Sequence, residues 1–447
     1  MGRRRGPLAV AALMAAAALL AAACDNGDSS GSGSGSGSGT DGSGASDGGP
    51  VVEQFAGTEM SIGVIPDAPT EATGEPIPVG LLNQEDTPLG SFPEVRLGAE
   101  TAVQFLNEEM GGVDGRPIEL HTCITDFSPE QSSACAQEMV QSDVVAVLGG
   151  IDLASAGSMP IFEQNEIPYV GGIPANFEEA QSPVSFQFSG GTWGAMTAFA
   201  YWAAEEVGAE KVAIAYGEFP PISDAAIQYG EAVLEARGVD DVDLVAFPID
   251  TTDFLPVVTR AMEGNPDAIF WGTADAGCQS VMQSSFDLGV SAQLFMTGAC
   301  AAPRIVEEVG PGAEGVLFNI EGVAKADVPN PEVDLFTAVA DRYGEGAFDP
   351  QSAATVSFRS TMNLYALMTE LGADNISTAT IMEGLRTAVD VPSFDGHPYT
   401  CDGEQIPDLP AMCSPQENLV VWDGTELSQV NDDWIQVPEI LREAGVG

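Results

Sequence analysis

The regular alternation of short apolar runs with longer amphipathic segments constrains the fold of this chain more than any other feature. Runs typical of buried strands alternate with segments whose apolar residues recur at helical spacing; the first four runs are 76–83, 117–126, 144–150 and 168–172. After a pause around 176–194, a second series of similar size has runs at 211–217, 243–249, 267–273 and 294–298. Strands that alternate with helices of this length form βαβ units and parallel sheets. The sequence therefore predicts an α/β fold with two lobes, each built on a parallel sheet.

The later part of the chain predicts a return to the first lobe. The apolar run 315–323 precedes two further helical segments. We expect a first lobe of residues 76–190 with about 316–391, and a second lobe of residues 191–315 with about 392–440. The chain would then pass between the lobes more than once, in a multi-strand hinge. Before the first strand, residues 51–75 are rich in Pro, Gly and Glu, which predicts a loosely packed lead-in.

The first fifty residues predict export. A short basic opening precedes an uncharged apolar run, Ala21-Ala22-Ala23 and Cys24, and a Gly/Ser-rich stretch follows. The position of Cys24 resembles a bacterial lipoprotein signal. That resemblance implies removal of residues 1–23, lipid modification of Cys24, and a flexible tether and lead-in over residues 24–75 that leash the protein to the outer face of the cell membrane. The alternatives are a signal peptide with an incidental Cys and an uncleaved anchor, although the run is short for a span of about 20 residues.

The charge balance excludes several classes of partner. The chain has 14 Lys and Arg against 67 Asp and Glu, a net charge of −53. Such a surface repels phosphate backbones and anionic lipid headgroups, so we expect no nucleic-acid partner and no attachment to a membrane except through the lipid. The acidic residues are spread along the chain, which favours a solvated surface over a single acidic docking patch.

Cysteine and histidine usage predicts disulfides and no metal site. Six cysteines remain after Cys24, an even number in an exported chain, and six allow 15 pairings. Their proximity in the sequence favours three local pairs, namely Cys123–Cys135, Cys278–Cys300 and Cys401–Cys413. No CxxC occurs and the chain has two His residues, so neither zinc nor another cofactor is expected.

Catalytic motifs are missing from the sequence. His121 lies inside an apolar run and His397 in a Gly/Pro-rich loop, and neither has a nucleophile motif near it. The sequence Gly310-Pro311-Gly312-Ala313-Glu314-Gly315 matches a dinucleotide-binding pattern, but it precedes a strand instead of following one, which favours a turn. We therefore expect a protein that is not an enzyme.

Several segments resemble one known family over residues 76–440. They include PVGLLNQ, LGAETAVQFLNEEMGGVDGRPIEL, MPIFEQNEIPYVGG and TTDFLPVVTRAMEGNPDAIFWG. The resemblance is to the type I periplasmic-binding proteins of the branched-chain amino-acid class, the solute receptors of ABC importers. It implies two Rossmann-like lobes and a monomeric receptor that captures a small polar solute, such as an amino acid or amide, and delivers it to ABC permease subunits. The alternative is a ligand-sensing protein of the same fold that signals to a membrane receptor.

Candidate binding residues lie where loops leave the carboxyl ends of the strands, since ligands of open α/β sheets bind there. They are Ser91, Phe92, Asp152, Ser155, Ile173, Asn176, Tyr216, Ser223 and Asp275. The resemblance implies that Phe92 lines the cleft, that the turn with Ser155 holds a substrate carboxylate, and that Asp275 pairs with an ammonium group.

The same loops predict a ligand other than a branched-chain amino acid. Leu153 and Ala154 in one loop, and Gly172 and Ala175 in the next, stand where the family has carboxylate-binding hydroxyls. Asp152 would add negative charge where an anion would sit. A cationic or neutral polar solute is therefore expected.

Overall fold

The structure, a computed structural model, describes residues 49–87, 90–273, 277–324, 330–344, 346–348, 352–406 and 408–446. The expected signal peptide, Cys24 and the Gly/Ser-rich tether lie outside these residues. None of the helices in the described part of the chain is both long and apolar enough to cross a membrane.

The segment that precedes the first lobe packs partly into the core of that lobe. It forms α1 (Val51–Gln54), β1 (Glu59–Met60) and β2 (Gly63–Val64). Val51 and Val52 are fully buried in the core of the first lobe, and the N–H of Val52 donates to Oε2 of the buried Glu109 at 2.9 Å. The start of the predicted lead-in is therefore packed through its apolar residues, whereas residues 67–71 and 73–75 are exposed.

The first lobe begins as a series of strand–helix units. Its strands are β3 (Ile77–Gln84), β4 (Ile118–Thr125), β5 (Val147–Gly149), β6 (Tyr169–Val170) and β7 (Ser185–Phe186). Between them lie α2 (Pro93–Glu108), α3 (Pro129–Gln141), α4 (Met159–Asn165) and α5 (Phe177–Gln181). Helix α3 begins at Ser128, whose hydroxyl accepts from the N–H of Gln131, with Pro129 in its first turn.

The second lobe and the return of the chain follow. The elements are α6 (Gly191–Trp202), β8 (Lys211–Gly217), α7 (Pro220–Asp224), α8 (Ala232–Ala236), β9 (Asp241–Phe247), α9 (Leu255–Ala261), β10 (Ala268–Gly272), α10 (Cys278–Leu288), β11 (Gln293–Met296), α11 (Pro303–Val309) and β12 (Leu317–Ile320). Then come α12 (Pro331–Tyr343), α13 (Ala354–Leu371) and α14 (Thr378–Arg386) on the first lobe, and β13 (Asn418–Trp422), β14 (Leu427–Gln429) and α15 (Val437–Ala444) on the second.

The same strand order occurs in both sheets: β9-β8-β10-β11-β12 of the second lobe corresponds to β4-β3-β5-β6-β7 of the first, and β13 and β14 extend the second sheet. The first is β4-β3-β5-β6-β7, all parallel, and the second is β14-β13-β12-β11-β10-β8-β9, parallel from β12 to β9. The order reverses between β3 and β5 in one lobe and between β8 and β10 in the other, and such reversals open the crevice in which α/β sheets bind ligands. The predicted fold class, two α/β lobes with parallel sheets, is confirmed.

The lobe boundaries differ from the predicted ones. Strand β12, predicted to return to the first lobe at about residue 316, pairs with β11 in parallel and with β13 in antiparallel register. An apolar run such as LFNI suits either sheet, and only the pairing decides between them. At the other boundary, Phe394, Tyr399 and Cys401 are still buried in the first lobe, beyond the predicted change at about residue 392.

All three predicted disulfides are confirmed. Cys123–Cys135 joins β4 to α3, Cys278–Cys300 joins the start of α10 to the turn after β11, and Cys401–Cys413 closes a loop near the last crossing between lobes. Each bond therefore closes a short stretch of chain.

We expect the double substitution Cys278→Ala/Cys300→Ala to lower the free energy of unfolding. The bond closes a loop with a sequence separation of 22 residues, and the chain-entropy relation gives about 3 kcal/mol for a loop of that size. Urea denaturation of the oxidised protein and of the variant measures the difference. The matched pair Cys401→Ala/Cys413→Ala, with a separation of 12, should lose slightly less, and an unchanged midpoint in both variants would contradict the prediction.

Candidate functional site

A cavity of about 470 Å³ lies between the lobes, at the carboxyl ends of their strands. Its volume falls within the range of about 300–1,000 Å³ that is usual for small-molecule sites. Apolar side chains from both lobes supply most of its wall, among them Phe92, Phe127, Ile151, Leu153 and Ile173 from the first lobe and Phe219, Ile222, Ile249 and Ile320 from the second.

Phe92 reaches the cavity because its loop folds back onto the end of β3. The N–H of Phe92 donates to the carbonyl of Gln84 at 3.1 Å, and the Nδ2 of Asn83 donates to the carbonyl of Phe92 at 2.7 Å. Gly90 has a φ of +136°, and a Cβ there would lie 2.6 Å from the Phe92 ring, so the turn requires glycine. Phe92 and Ile173 are thus brought together at the cavity, as the sequence predicts.

Asp152, Ser155 and Asn176 lie behind the wall instead of in it. Asp152 accepts hydrogen bonds from Ser132 at 2.7 Å and Thr125 at 3.2 Å, and burial raises its pKa. The Nδ2 of Asn176 donates to the Asp152 carbonyl and to the Ser155 hydroxyl, each at 3.0 Å. The predicted placement of these three residues in the cleft is therefore corrected: they fasten the loops from within the lobe, and Leu153 faces the cavity in their place.

The remaining predicted residues also lie off the cavity wall or outside the described chain. The hydroxyl of Ser91 accepts from the N–H of Asp86 at 3.0 Å within its own loop. Tyr216 is buried at the end of β8, and Ser223 lies on α7 beside Ile222, which lines the cavity. Asp275 falls in 274–276, outside the described residues. Thr273, the last described residue before this gap, lines the cavity.

A charged part of the wall was missed by the sequence analysis. Glu321, directly after β12, accepts a hydrogen bond from the Ser189 hydroxyl at 2.7 Å. Arg359 on α13 donates from Nε to the carbonyl of Phe394 at 3.2 Å. Burial raises the pKa of the adjacent Asp395 to about 7, and the charge of Arg359 opposes that rise. These residues come from crossing segments and a helix interior, so a search of strand ends could not find them.

Behind this wall lies a second buried carboxyl group. Oε2 of Glu417 accepts from the Nδ2 of Asn319 at 3.0 Å, and its Oε1 has no hydrogen-bond partner. A Cβ on Gly194 would lie 2.5 Å from that Oε1, so glycine lets α6 approach the carboxyl group closely. Burial raises the pKa of Glu417 well above its usual value, which favours the neutral form.

Comparison with known proteins places these features in context. The family model described as periplasmic binding protein matches residues 76–409. Among curated proteins, the chain is similar to the "Leu/Ile/Val-binding protein homolog 6" of Brucella suis biovar 1, with 27% identity over 213 residues that cover 46% of this chain and 54% of the relative. The protein of the same name from Brucella melitensis biotype 1 is 26% identical over the same shares. The chain thus spans about half the length of these relatives.

Solved structures share the fold over most of the chain. A leucine-binding protein LivK from Thermotoga maritima has a TM-score of 0.64 at 18% identity, covering 79% of this chain and 98% of its own. A solute-binding protein of an ABC transporter from R. palustris, in complex with 4-hydroxybenzoate, has a TM-score of 0.66 at 20% identity and covers 81% and 97%. LivJ from Streptococcus pneumoniae, in complex with isoleucine, has a TM-score of 0.64 at 15% identity and covers 80% and 99%.

Proposed function

Because the chain belongs to the periplasmic binding protein family, we propose that it captures a small solute between its lobes and delivers it to an ABC importer. The observation that carries this proposal is the cavity, which lies where the strand order of both sheets reverses. The chain crosses between the lobes near residues 190 and 322 and again between 401 and 417. Crossings of this kind support hinge closure, in which the bound solute stabilises the closed arrangement and no bond is broken.

The solute-binding role is tested by a thermal-shift screen of amino acids, amides, polyamines, amines and aromatic acids. A ligand present at about 100 times its dissociation constant raises the free energy of unfolding by about 2.7 kcal/mol. Absence of a shift with every compound would count against the receptor proposal.

We expect Phe92→Ala to weaken the binding of any solute that the screen finds. Phe92 is 7% exposed and lines the cavity with Ile151, so its removal takes an aromatic contact from the ligand. Isothermal titration should show at least about tenfold lower affinity, equal to about 1.4 kcal/mol. Phe286→Ala is the matched control, because Phe286 is 54% exposed on α10 and does not line the cavity. Equal losses in both variants would show that the site lies elsewhere.

The proposal includes attachment to the outer face of the membrane through Cys24. We expect Cys24→Ala to move the protein from the membrane fraction to the soluble fraction, because the lipid on Cys24 is the proposed attachment to the membrane. Fractionation and immunoblotting measure the change, with Ser29→Ala in the tether as the control. A wild-type protein that is already soluble after fractionation would contradict the lipid anchor and leave the binding role untouched.

A further inference from the structure

We propose that the cleft selects an apolar organic cation, a molecule with a hydrocarbon or aromatic body and a protonated amine, and without a carboxylate. The inference rests on the proposed function and names the ligand class of that same cavity. It depends on the hydrogen-bond donors that the first lobe keeps from an anion, and on the acidic and aromatic side chains that the wall presents to a cation.

In the two first-lobe loops that meet the cavity, several backbone donors are already paired within the lobe. The N–H of Ile151 donates to Oδ1 of Asn83, and that of Leu153 donates to Oε1 of Gln84. In the next loop, the N–H of Ala175 donates to the Glu179 carboxyl group at 2.7 Å. The structure also gives partners for the N–H groups of Ala154, Ser155, Ile173 and Asn176. A carboxylate needs several N–H or O–H donors once it leaves water, and those of Ile151, Leu153 and Ala175 are already held by the protein's own acceptors.

The side chains of the same loops do not replace those donors. The side chain of Asn176 is turned into the lobe, where it donates to the Asp152 carbonyl and to the Ser155 hydroxyl. The loops therefore present Ile151, Leu153 and Ile173 to the cavity. An anionic group would therefore meet hydrocarbon at the first lobe's strand ends.

The cationic residue on the described wall, Arg359, is partly engaged by the protein itself. Arg359 is 2% exposed, its Nε donates to the Phe394 carbonyl, and its charge acts on the adjacent Asp395. Part of the hydrogen-bonding capacity of Arg359 is therefore taken up within the wall, which reduces what it offers to a ligand anion.

Acidic and aromatic groups suit a cation instead. Glu321 is half-buried on the wall, while Asp334 and Glu426 are exposed where α12 and the start of β14 meet the cavity. Four phenylalanines line the same space, namely Phe92, Phe127, Phe219 and Phe336. Aromatic faces attract ammonium groups, and a charge-assisted hydrogen bond to a carboxylate is stronger than a neutral one. The net charge of −53 also attracts cations to the molecule as a whole.

Two sets of matched ligands test the class directly by isothermal titration. One set is leucine, isopentylamine, which lacks its carboxylate, and 4-methylpentanoate, which lacks its ammonium. The other is phenylalanine, 2-phenylethylamine and 3-phenylpropanoate. We expect at least one amine to bind at least about tenfold more tightly than its amino acid, and neither carboxylate without an ammonium to bind measurably.

A variant locates the cation within the cleft. Glu321→Gln keeps an oxygen to accept from Ser189 but removes the charge, so the affinity for the amine should fall by about tenfold or more. Glu307→Gln, on an exposed position of α11 away from the cavity, should leave it unchanged.

The outcomes separate this inference from the receptor proposal. Tighter binding of leucine, phenylalanine or either carboxylate than of the amines overturns the ligand class and leaves the receptor intact. Failure of both amines to bind, while another compound of the broad screen binds, also overturns the ligand class. Failure of every compound in the screen contradicts the receptor itself.

Discussion

Lowering the pH from about 8 to about 5 is expected to raise the free energy of unfolding of this protein. Glu179 is fully buried and accepts hydrogen bonds from the N–H groups of Ala175 and Asn176 and from the hydroxyl of Tyr169. Burial raises its pKa from 4.5 to about 8, with a further contribution from the charge of Asp152. The folded protein therefore holds a proton that the unfolded chain releases above about pH 4.5.

The sign of the effect follows from that difference in bound protons. Between about pH 4.5 and 8 the native state binds more protons than the unfolded state, so stability falls as the pH rises through this window. At 1.36 kcal/mol per unit, the whole shift of Glu179 corresponds to roughly 5 kcal/mol, most of which is lost across this window. Asp395, with a pKa of about 7, and Glu417, whose pKa is raised well above its usual value, act in the same direction.

Urea denaturation at several pH values measures this dependence. Glu179→Gln should flatten it and stabilise the protein near pH 8, because glutamine at this capping position can still accept the two N–H groups without a buried charge. The neighbouring Glu178 is exposed, so Glu178→Gln should keep the wild-type slope. A wild-type protein that is least stable near pH 5 would contradict the prediction.

Arg359→Met is expected to destabilise the folded protein by about 2–4 kcal/mol near pH 8, from a lost hydrogen bond of a charged donor and from about 1.4 kcal/mol at most at Asp395, which can take up a proton instead. The substitution keeps the apolar bulk of the side chain on α13 but leaves the carboxyl group of Asp395, which is 9% exposed, without its nearby cation. It also removes the donor to the Phe394 carbonyl. Near pH 5 the loss should be smaller, because Asp395 is then protonated and little uncompensated charge remains.

A double-mutant cycle assigns this loss to the pair. Asp395 has a φ of 44°, which asparagine tolerates, and an amide oxygen can still accept from the N–H of Val323. Asp395→Asn in the Arg359→Met background should therefore recover the part of the loss that comes from the carboxylate charge. Arg442→Met, on an exposed position of α15, is the matched control. Additive losses from the two substitutions at 359 and 395 would show that these residues do not act together.

The fold could be read from the sequence because its strands carry their own signal. Runs such as those of β3 and β8 are buried along almost their whole length, so they are apolar without alternation, as parallel strands covered on both faces must be. The three disulfides could be predicted because each joins cysteines that are close in the sequence, with separations of 12, 22 and 12 residues. Strand β12 could not be assigned to a sheet, because its neighbours β11 and β13 are joined to it only by tertiary pairing.

The site was less predictable because a strand end fixes the position of a loop but not the direction of its side chains. Phe92 and Ile173 face the cavity, whereas Asp152, one residue from two cavity-lining side chains, turns inward to Ser132 and Thr125. These two partners are distant in the sequence, and no local pattern links them to Asp152. Arg359 and Glu321 reach the wall through the packing of α13 and the crossing near residue 322, which periodicity does not encode.

The discontinuity of the first lobe sets the order in which the molecule can be completed during synthesis. Helix α13 packs against α2 and β5, and the hydroxyl of Ser357 donates to the carbonyl of Val95, so the sheet made first is covered by a helix made late. A ribosome delivers the chain from its N-terminus, and the nascent β3–β7 sheet therefore waits with apolar surface uncovered while the whole second lobe emerges. The Cys123–Cys135 bond lies entirely within that early stretch, and it can hold β4 to α3 once the chain has reached an oxidising compartment. The first lobe, whose β3–β7 sheet is translated first, is therefore completed only after α13 has been translated.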